Sequence, residues 1–346
     1  MKTVAAVLEQ VDCPLVIAEL DLPELKPGQV LVQVAFSGVC HTQLLECGGL
    51  RGDPLRLPCC LGHEASGVVR DVGPGVTKCR PGDHVVLSWI KGSGAEVAGT
   101  EYEWGGRTVY AGSVTTFARH TIVSENCVTV IPRDFDLRDA AQLGCAVLTG
   151  VGAVFRAVEV RPGQSVVVLG TGGIGLCAVA GASVAGGSPI VAVDRSAERL
   201  AVAKQMGATH TICVRQQDVV TELAQLCPGG ADLAVEASAR PEVISLAIKI
   251  IRPRGGAVVV ISNYHASASV LIDPRELNSG KRLVGTWGGD SVPDNDVPRY
   301  CQLIRAGRLD LRPLRARPFG LHQINDALEA LEHARVARPL IDLSFE

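Results

Sequence analysis

The sequence lacks several features that would place it in particular classes of protein. Its 346 residues carry 33 basic and 36 acidic side chains, a net charge of −3, and the two signs are well mixed. This balance gives no electrostatic reason to expect nucleic acid or an anionic membrane as a partner. No charge-free apolar stretch reaches the roughly 18 residues of a membrane span. The opening segment, broken by Glu9 and Asp12, has no signal-peptide cleavage site. We therefore expect a cytoplasmic protein.

Cysteine is too sparse for a disulfide scaffold, with 12 in the whole chain. In a reducing compartment such cysteines serve as metal ligands or as small buried apolar residues. The sequence also shows no repeat and no low-complexity segment. Its length predicts two domains of roughly 100–200 residues each, and 47% apolar residues are enough to fill their cores.

The first third of the chain has the pattern of a β-rich domain. Short apolar runs at residues 30–37, 65–72 and 85–89 are separated by turn signals such as Lys26-Pro27-Gly28 and Pro81-Gly82-Asp83. These features predict an antiparallel, partly barrel-like domain.

From about residue 147, β-branched runs alternate with helical patterns. We predict strands at 166–169, 190–193, 231–236 and 257–261, and helices ending near 185, at 197–206 and at 242–251. Strand–helix alternation predicts an α/β domain with a doubly wound parallel sheet. Helices near 298–306 and 322–333 and a strand at 339–343 follow. We expect residues 1–146 and 287–346 in the β-rich domain and 147–286 in the α/β domain.

A glycine-rich turn follows the first strand of the α/β domain, in the order Gly170-Thr171-Gly172-Gly173-Ile174-Gly175. This is the G-x-G-x-x-G pattern in which a helix N-terminus receives a pyrophosphate. Asp194 ends the next strand, where a carboxylate accepts from the ribose hydroxyls of NAD and repels the 2′-phosphate of NADP. We therefore expect NAD to be preferred, with weaker NADP activity supported by Arg195 and Arg199. A purely structural turn with a helix-capping Asp is the alternative.

Three further segments carry candidate metal ligands: Cys40 in Gly38-Val39-Cys40-His41-Thr42, His63 in Gly62-His63-Glu64, and Cys145 after Gly144. Two cysteines and one histidine with an open fourth position are an established ligand set for catalytic zinc. Each segment alone is weak evidence, but the three precede a dinucleotide fold in order.

Together these motifs resemble the zinc-containing medium-chain alcohol dehydrogenases over nearly the whole chain. The resemblance also includes the turn at residues 81–85, the segment 144–150 and Ala337-Arg338-Pro339-Leu340. It implies a GroES-like catalytic domain joined to a Rossmann domain. It implies that Cys40, His63 and Cys145 hold one catalytic zinc, with Glu64 able to approach the metal and Thr42 passing the substrate proton outward.

The resemblance assigns further roles residue by residue. His41 and Arg338 match contacts to the cofactor pyrophosphate, and Thr149 and Ile174 match contacts to the nicotinamide. Trp89, Phe117 and Trp287 match the substrate pocket. For each of these residues the alternative is an ordinary surface, capping or core position.

The sequence departs from the family pattern in three places. Residues 90–116, which match the lobe of a second, structural zinc, contain no cysteine. We therefore expect one zinc per subunit, and a replacement segment with Tyr102, Trp104 and Tyr110 that opens the cleft or contacts a neighbouring subunit. Gln43 stands where an aspartate commonly supports the metal site, and Leu45 where some members end the proton relay with histidine.

The predicted activity is zinc-dependent hydride transfer between NAD and a small-molecule alcohol, or its aldehyde or ketone, in a homodimer or homotetramer. Two alternatives remain open: a zinc-free enone or quinone reductase of the same fold, and a non-catalytic NAD-binding protein. A zinc dehydrogenase acting on one specialised biosynthetic intermediate is a variant of the main prediction. The sequence does not identify the substrate.

Overall fold

The computed structural model describes residues 1–52 and 54–344 and divides them into two compact units. The first comprises Met1–Cys145, Val292–Gln302 and the described residues from Ala316 onward, and the second comprises Ala146–Ser291 and Leu303–Arg315. This division differs from the expected boundaries in that residues 287–291 and 303–315 pack with the second unit. The predicted combination of a β-rich domain with a parallel α/β domain is confirmed.

The strands are, in chain order, β1 Lys2–Leu8, β2 Val16–Asp21, β3 Gln29–Gly38, β4 Cys59–Cys60, β5 Glu64–Val72, β6 His84–Ser88, β7 Glu101–Trp104, β8 Arg107–Tyr110, β9 His120–Ser124, β10 Val128–Ile131, β11 Val166–Leu169, β12 Ile190–Asp194, β13 His210–Cys213, β14 Leu233–Glu236, β15 Ala257–Val260, β16 Arg282–Gly285, β17 Phe319–Gly320 and β18 Leu340–Asp342. The α-helices are α1 His41–Cys47, α2 Leu137–Gln142, α3 Leu148–Gly152, α4 Gly173–Val184, α5 Ala197–Gln205, α6 Val219–Leu226, α7 Pro241–Ile250, α8 Pro274–Asn278, α9 Pro293–Arg305 and α10 Ile324–Glu332. Single π-helical turns flank α3, at Leu143–Val147 and Ala153–Ala157.

The first unit contains two β layers. Strands β1, β2, β7, β8 and β4 close a small barrel, and a second sheet has the order β10-β6-β5-β3-β18-β17, with β9 also paired to β3. Alternating apolar residues such as Val30, Val32 and Val34 point from β3 into a core that includes Leu87 and Ile341. The central position of β3 matters for function because its last residue, Gly38, lies two positions before Cys40.

Residues 101–110 form a β-hairpin that completes the barrel. Gly105 and Gly106 make its turn with φ angles of 56° and 84°, which are suited to a two-residue hairpin loop. Tyr102 is buried, and its hydroxyl accepts a hydrogen bond from the backbone N–H of Ile122 at 3.0 Å. This ring fills the barrel core, and the effect of the segment on the cleft or on a neighbouring subunit stays a prediction.

The adjoining segment, residues 90–99, is held by two carboxylates, one buried and one partly exposed. Glu125 is 2% exposed and accepts from the backbone N–H groups of Thr77, Lys78 and Ala95 at 2.7, 2.9 and 2.7 Å. Asp294 accepts from the backbone N–H of Ser93 at 2.7 Å and contacts the Lys78 ammonium at 2.5 Å. These bonds fasten the segment that corresponds to the missing metal-binding lobe.

We expect Glu125→Gln to destabilise the protein by about 1.5–3 kcal/mol at pH 7, since hydrogen bonds to a charged group are lost. Burial alone would raise the pKa of Glu125, but the backbone donors of Ala95, Thr77 and Lys78 together hold it below the usual 4.5. A lowered folded-state pKa gives stability that is present above the unfolded value and is lost as pH falls through the folded value. Urea unfolding from pH 7 to pH 3 should therefore show the variant and the parent converging in acid. Glu19→Gln, at an exposed position of β2, is the control, and a constant gap across this range would contradict the assignment.

The second unit is built on a parallel sheet with the order β13-β12-β11-β14-β15-β16. β12 and β14 lie on opposite sides of β11, so the strand order runs outward in both directions from this point. The carboxyl ends of β11 and β14 therefore form the switch point of the sheet. Open α/β sheets bind ligands at such a switch point. The four residues of β11 are all buried, as expected of a strand covered on both faces.

One helical stretch, Leu137–Ala157, is long and apolar enough to cross a membrane by length and composition, and 83% of its apolar window is buried inside the protein. It includes α2, α3 and both π-helical turns. This degree of burial is typical of a helix in the core of a folded protein.

Candidate metal centre and nucleotide-binding turn

Cys40 follows β3 and precedes α1, in an extended conformation with φ −112° and ψ 156°. The side chain of Gln43 turns back, and its carbonyl oxygen accepts from the Cys40 backbone N–H at 3.0 Å. This contact satisfies a free donor at the helix start and fixes the direction in which the Cys40 thiol points.

His63 comes immediately before β5, and a buried pair of hydroxyls holds the chain there. The hydroxyl oxygens of Ser37 and Thr116 lie 3.1 and 3.2 Å from the backbone carbonyl oxygen of Glu64 and 2.8 Å from each other, in one buried hydrogen-bonded cluster. The Nδ1 atom of His63 lies 2.8 Å from the Gln43 side-chain nitrogen. This contact holds the imidazole ring at Nδ1, the nitrogen on the far side of the ring from the cysteines.

Cys145 lies in the π-helical turn Leu143–Val147, where the widened backbone displaces side chains from the regular helical positions. The Ser88 hydroxyl donates to the carbonyl of the preceding Gly144 at 2.6 Å, which ties this turn to β6. π-helical turns within helices frequently occur at functional sites, and here the turn presents a thiol.

The ligand atoms of Cys40, His63 and Cys145 all lie within 4.8 Å of one another, and the His63 Nε2 to Cys145 Sγ distance is 3.3 Å. With zinc–sulfur and zinc–nitrogen bonds of about 2.3 and 2.1 Å, tetrahedral ligand atoms stand roughly 3.6 Å apart, so small adjustments bring all three onto one ion. Within residues 1–52 and 54–344 this is the one metal-ligating group of its kind. The residues present therefore fit a zinc ion, with a fourth position left to a small molecule.

The two thiols differ in acidity because they lie against each other. A hydrogen bond from Cys145 lowers the pKa of Cys40, assisted by the nearby positive charge of Arg338, and burial opposes this shift. The same hydrogen bond raises the pKa of Cys145, and burial raises it further. The pair therefore holds one thiolate readily, and a divalent cation would favour the second.

Glu64 and Arg338 form a buried ion pair beside this cluster, with their side chains 0% and 3% exposed. The Arg338 Nε donates to Glu64 Oε1 at 2.7 Å, and a second bond comes from Nη2. Burial raises the pKa of Glu64, whereas the guanidinium favours the carboxylate. The charge of Arg338 is therefore directed onto Glu64. A contact to the cofactor pyrophosphate stays a prediction.

The other expected residues of the first unit have different positions. Thr42 is buried with its hydroxyl 3.6 Å from the Cys40 sulfur, and His41 is exposed at the start of α1. Trp89 packs its ring edge-to-face on His63, with centroids 6.4 Å apart and planes at 69°. Phe117 is the correction: it has no accessible surface and packs in the apolar core, so it cannot line a substrate pocket.

In the second unit, the glycine-rich turn has the expected geometry. Gly170 adopts φ +97°, and a Cβ atom at Gly175 would lie 1.9 Å from the Gly170 carbonyl oxygen. Gly172 precedes α4, with Gly173 as the first helical residue, and a Cβ atom at Gly172 would meet nothing within 4 Å. Ile174 follows in the same first turn. This arrangement leaves room for a phosphate beside free backbone N–H groups.

Asp194 ends β12 and is tied to this turn. One carboxylate oxygen accepts from the Thr171 backbone and hydroxyl at 2.7 and 2.9 Å, and the other accepts from the Ser196 backbone at 2.9 Å. Arg199, half-buried on α5, interacts electrostatically with Asp194. The Thr149 hydroxyl is buried and has no hydrogen-bond partner among the described residues. The open glycine turn and the unsatisfied hydroxyl fit a dinucleotide. Trp287 is 72% exposed, and its contact with the cofactor or substrate stays a prediction.

Sequence reasoning overlooked two features of the metal centre. A Cβ atom at Gly38 would lie 1.9 Å from Glu64 Oε1, so glycine at this position leaves the space that the Glu64–Arg338 pair occupies. Glu46 lies 3.3 Å from the Gln43 side-chain nitrogen. The only sequence signal for Gly38 was its place two residues before a candidate ligand.

Comparison with known proteins assigns the chain to a class. Residues 26–133 match the alcohol dehydrogenase GroES-like domain, and residues 173–306 match the zinc-binding dehydrogenase domain. The chain is 31% identical to S-(hydroxymethyl)glutathione dehydrogenase from Synechocystis sp., over 99% of this chain and 100% of that protein.

Two solved structures share the fold over 99% of both chains. They are an alcohol dehydrogenase zinc-binding domain protein from Burkholderia ambifaria, at 30% identity and TM-score 0.92, and benzyl alcohol dehydrogenase from Acinetobacter calcoaceticus, at 28% and 0.90. The chain belongs to the zinc-dependent medium-chain alcohol dehydrogenase family, and it is an oxidoreductase of that family. The family expected from the sequence is confirmed, and zinc-dependent dehydrogenation is favoured over the two alternatives.

Proposed function

We propose that this protein is an NAD-dependent alcohol dehydrogenase that carries one catalytic zinc ion per chain and interconverts a small uncharged alcohol with its aldehyde or ketone. The observation that carries the proposal is the convergence of Cys40, His63 and Cys145 beside a buried threonine hydroxyl. When bound, zinc acts as a Lewis acid that lowers the pKa of a coordinated hydroxyl, and NAD accepts the hydride.

The chain's own residues orient and deprotonate the substrate. Two thiolates and a neutral imidazole would offset the charge of a divalent ion. Thr42, 3.6 Å from the Cys40 sulfur, is the hydroxyl that would take the substrate proton onward. Glu64 and Arg338 add no net charge beside the centre because they neutralise each other. The expected approach of Glu64 to the metal would require this ion pair to open.

An apolar alcohol fits the site better than a highly charged one. The Trp89 indole is half-buried against His63, so a substrate at the fourth zinc position would contact an aromatic face or edge. The positive charge of Arg338 acts on Cys40, but this side chain is already paired with Glu64. It is therefore not available to bind a carboxylate of a charged substrate. Of the alcohols for which similar proteins are named, benzyl alcohol therefore suits this chain better than S-(hydroxymethyl)glutathione.

NAD preference is supported by the position of Asp194 and a single zinc by the composition of residues 90–116. The Asp194 carboxylate lies at the end of β12, where a 2′-phosphate would meet a negative charge. Residues 90–116 contain no cysteine, and carboxylates hold their first part.

A cytoplasmic homodimer or homotetramer completes the proposal. Its contact region would include the outer edge of β16 and Leu271, which is 90% exposed. Leu271 lies in a segment, residues 270–273, that is outside the named strands.

The proposal is tested by a turnover screen on protein of measured zinc content, with NAD and NADP, over benzyl, primary, secondary and polyol alcohols and S-(hydroxymethyl)glutathione. We expect kcat/KM to be highest with NAD and an apolar alcohol. Thr42→Val should keep its zinc and lose about 10²-fold or more in kcat, the usual size of a positioned proton-transfer group. Preference for NADP or for the glutathione adduct would refute the corresponding part, and absence of turnover with every alcohol would refute the activity.

A further inference from the structure

The side-chain amide of Gln43 can have only one orientation in this structure. Its Oε1 atom faces the Cys40 backbone N–H at 3.0 Å, and a backbone N–H can only donate. The atom that faces Cys40 is therefore the carbonyl oxygen, and the amide nitrogen points to the other side. Gln43 is 1% exposed, so solvent does not replace these contacts.

Two acceptors surround the amide nitrogen. It lies 3.3 Å from Glu46 Oε2 and 2.8 Å from His63 Nδ1. Glu46 is itself held by Arg51, whose Nη1 donates to Oε1 at 2.6 Å. The NH₂ group has two hydrogens, so one is directed to the Glu46 carboxylate and the other to the imidazole ring.

This arrangement determines the tautomer of His63. Because the amide nitrogen donates, Nδ1 must accept, and a neutral ring then carries its hydrogen on Nε2. Nε2 faces the Cys145 sulfur at 3.3 Å and donates to it. However, Nε2 is also the atom that faces the other two ligand atoms, and a cation can bind there only when the hydrogen is absent.

From these contacts we infer that Gln43 is a positioning residue that weakens the hold of the Cys40–His63–Cys145 cluster on its metal. Binding through Nε2 sends that hydrogen to solvent, and Nδ1 takes one up. The Nδ1–H group then faces the amide NH₂ group at hydrogen-bond distance, where two donors oppose each other and no acceptor is present. The amide must turn, giving up its bond with the Cys40 N–H and leaving a second pair of donors opposed there. An acceptor at position 43 would avoid this conflict.

The inference is tested with the zinc-loaded full chain mixed with an excess of a chromogenic chelator. Gln43→Glu keeps the length of the side chain and supplies one oxygen for Cys40 N–H and another for Nδ1–H. We expect it to lengthen the half-time of zinc release about 10-fold or more, the size of effect usual for such outer partners. Gln43→Met keeps the approximate size but has neither donor nor acceptor strong enough to hold the ring. Since it removes the opposing donor, it should release zinc no faster than the parent.

The order of retention Glu > Met ≥ Gln therefore supports the inference, whereas release from Gln43→Met faster than from the parent would overturn it and show that the amide supports the metal. Melting of each metal-free variant reports any loss of fold separately. Glu19→Gln, on exposed β2, is the control for a single charge change. The metal-free chain gives a direct readout as well: long-range ¹⁵N–¹H correlations should show His63 as the Nε2–H tautomer, and the Nδ1–H tautomer would also overturn the inference.

This inference rests on the part of the proposed function that places zinc in the cluster, and not on the substrate. Failure of the alcohol screen with normal zinc content leaves it intact. A change of zinc release that contradicts it leaves the screen unaffected.

Discussion

Cys145→Ala should abolish both zinc binding and turnover while leaving the dinucleotide site intact. With Cys145 gone, only Cys40 and His63 remain in the cluster, one ligand fewer than a catalytic zinc usually has. Because the metal contributes several kcal/mol to stabilisation of the reacting charge, the loss in kcat/KM should reach about 10³-fold or more. The glycine turn and Asp194 are built from residues 170–196 alone, so the affinity for NADH should change by less than about 3-fold, within the scatter of contact-free substitutions.

The measurement is zinc per chain by mass spectrometry, together with NADH titration by fluorescence and steady-state turnover. Cys60→Ala is the matched control, since Cys60 is also a buried cysteine of the first unit and lies on β4, in the barrel core. It should keep zinc and activity. A Cys145→Ala protein that retains one zinc and full turnover would disprove the assignment of the cluster as the catalytic centre.

Arg338→Met should strongly destabilise the first unit. It leaves the Glu64 carboxylate buried at 0% exposure with its positive partner removed, a situation that costs about 3–5 kcal/mol. The double variant Glu64→Gln with Arg338→Met removes the uncompensated charge and should recover most of that loss. Urea unfolding of metal-free protein gives the free energies of the parent, both single variants and the double variant.

The coupling energy from this cycle separates the ion pair from the packing of a long side chain. Arg107→Met is the comparison at the surface, where the pair with Glu9 is 54% and 38% exposed and contributes at most about 1 kcal/mol. If the double variant is as unstable as Arg338→Met alone, the charge on Glu64 is not the cause. Packing of the arginine stem would then explain the loss.

The elements that sequence analysis located well were those whose pattern is local. The β-branched run Val166–Leu169 and the following glycine turn have the expected bounds because a buried strand and G-x-G-x-x-G are both defined by adjacent residues. Helix α9 begins at Pro293, five positions before the expected start at Pro298. Both prolines are acceptable first residues of a helix, and the acids Asp294 and Asp296 favour the earlier one.

The metal ligands could be predicted only as a group, because each segment alone is weak evidence and the family resemblance supplied their grouping. The partner of Arg338 could not, because Glu64 lies 274 positions away and no local pattern relates the two. Phe117 shows the opposite error. A match to a pocket position was allowed to outweigh the general tendency of phenylalanine to be buried.

The hairpin at residues 101–110 was within reach of sequence reasoning but was overlooked. Gly105-Gly106 between the alternating segments Glu101–Trp104 and Arg107–Tyr110 is a strong hairpin signal. The family resemblance draws attention to the missing cysteines of residues 90–116 and away from the turn at their centre. The contacts of Glu125 and Asp294 with neighbouring backbone groups required coordinates, since each carboxylate bonds to segments about 30 to 200 positions distant.

The pairing of β18 with β3 has a bearing on how the chain is made. Leu340 lies opposite Gly38, so β18 covers the end of β3 that leads to Cys40, whereas β9 pairs with the beginning of β3. A nascent chain therefore contains Cys40 and His63 long before the strand that completes their support has been synthesised. The parallel sheet is formed by β11 to β16 alone and can assemble before β18 has been synthesised. The nucleotide-binding sheet can therefore form before the support of the metal centre is complete.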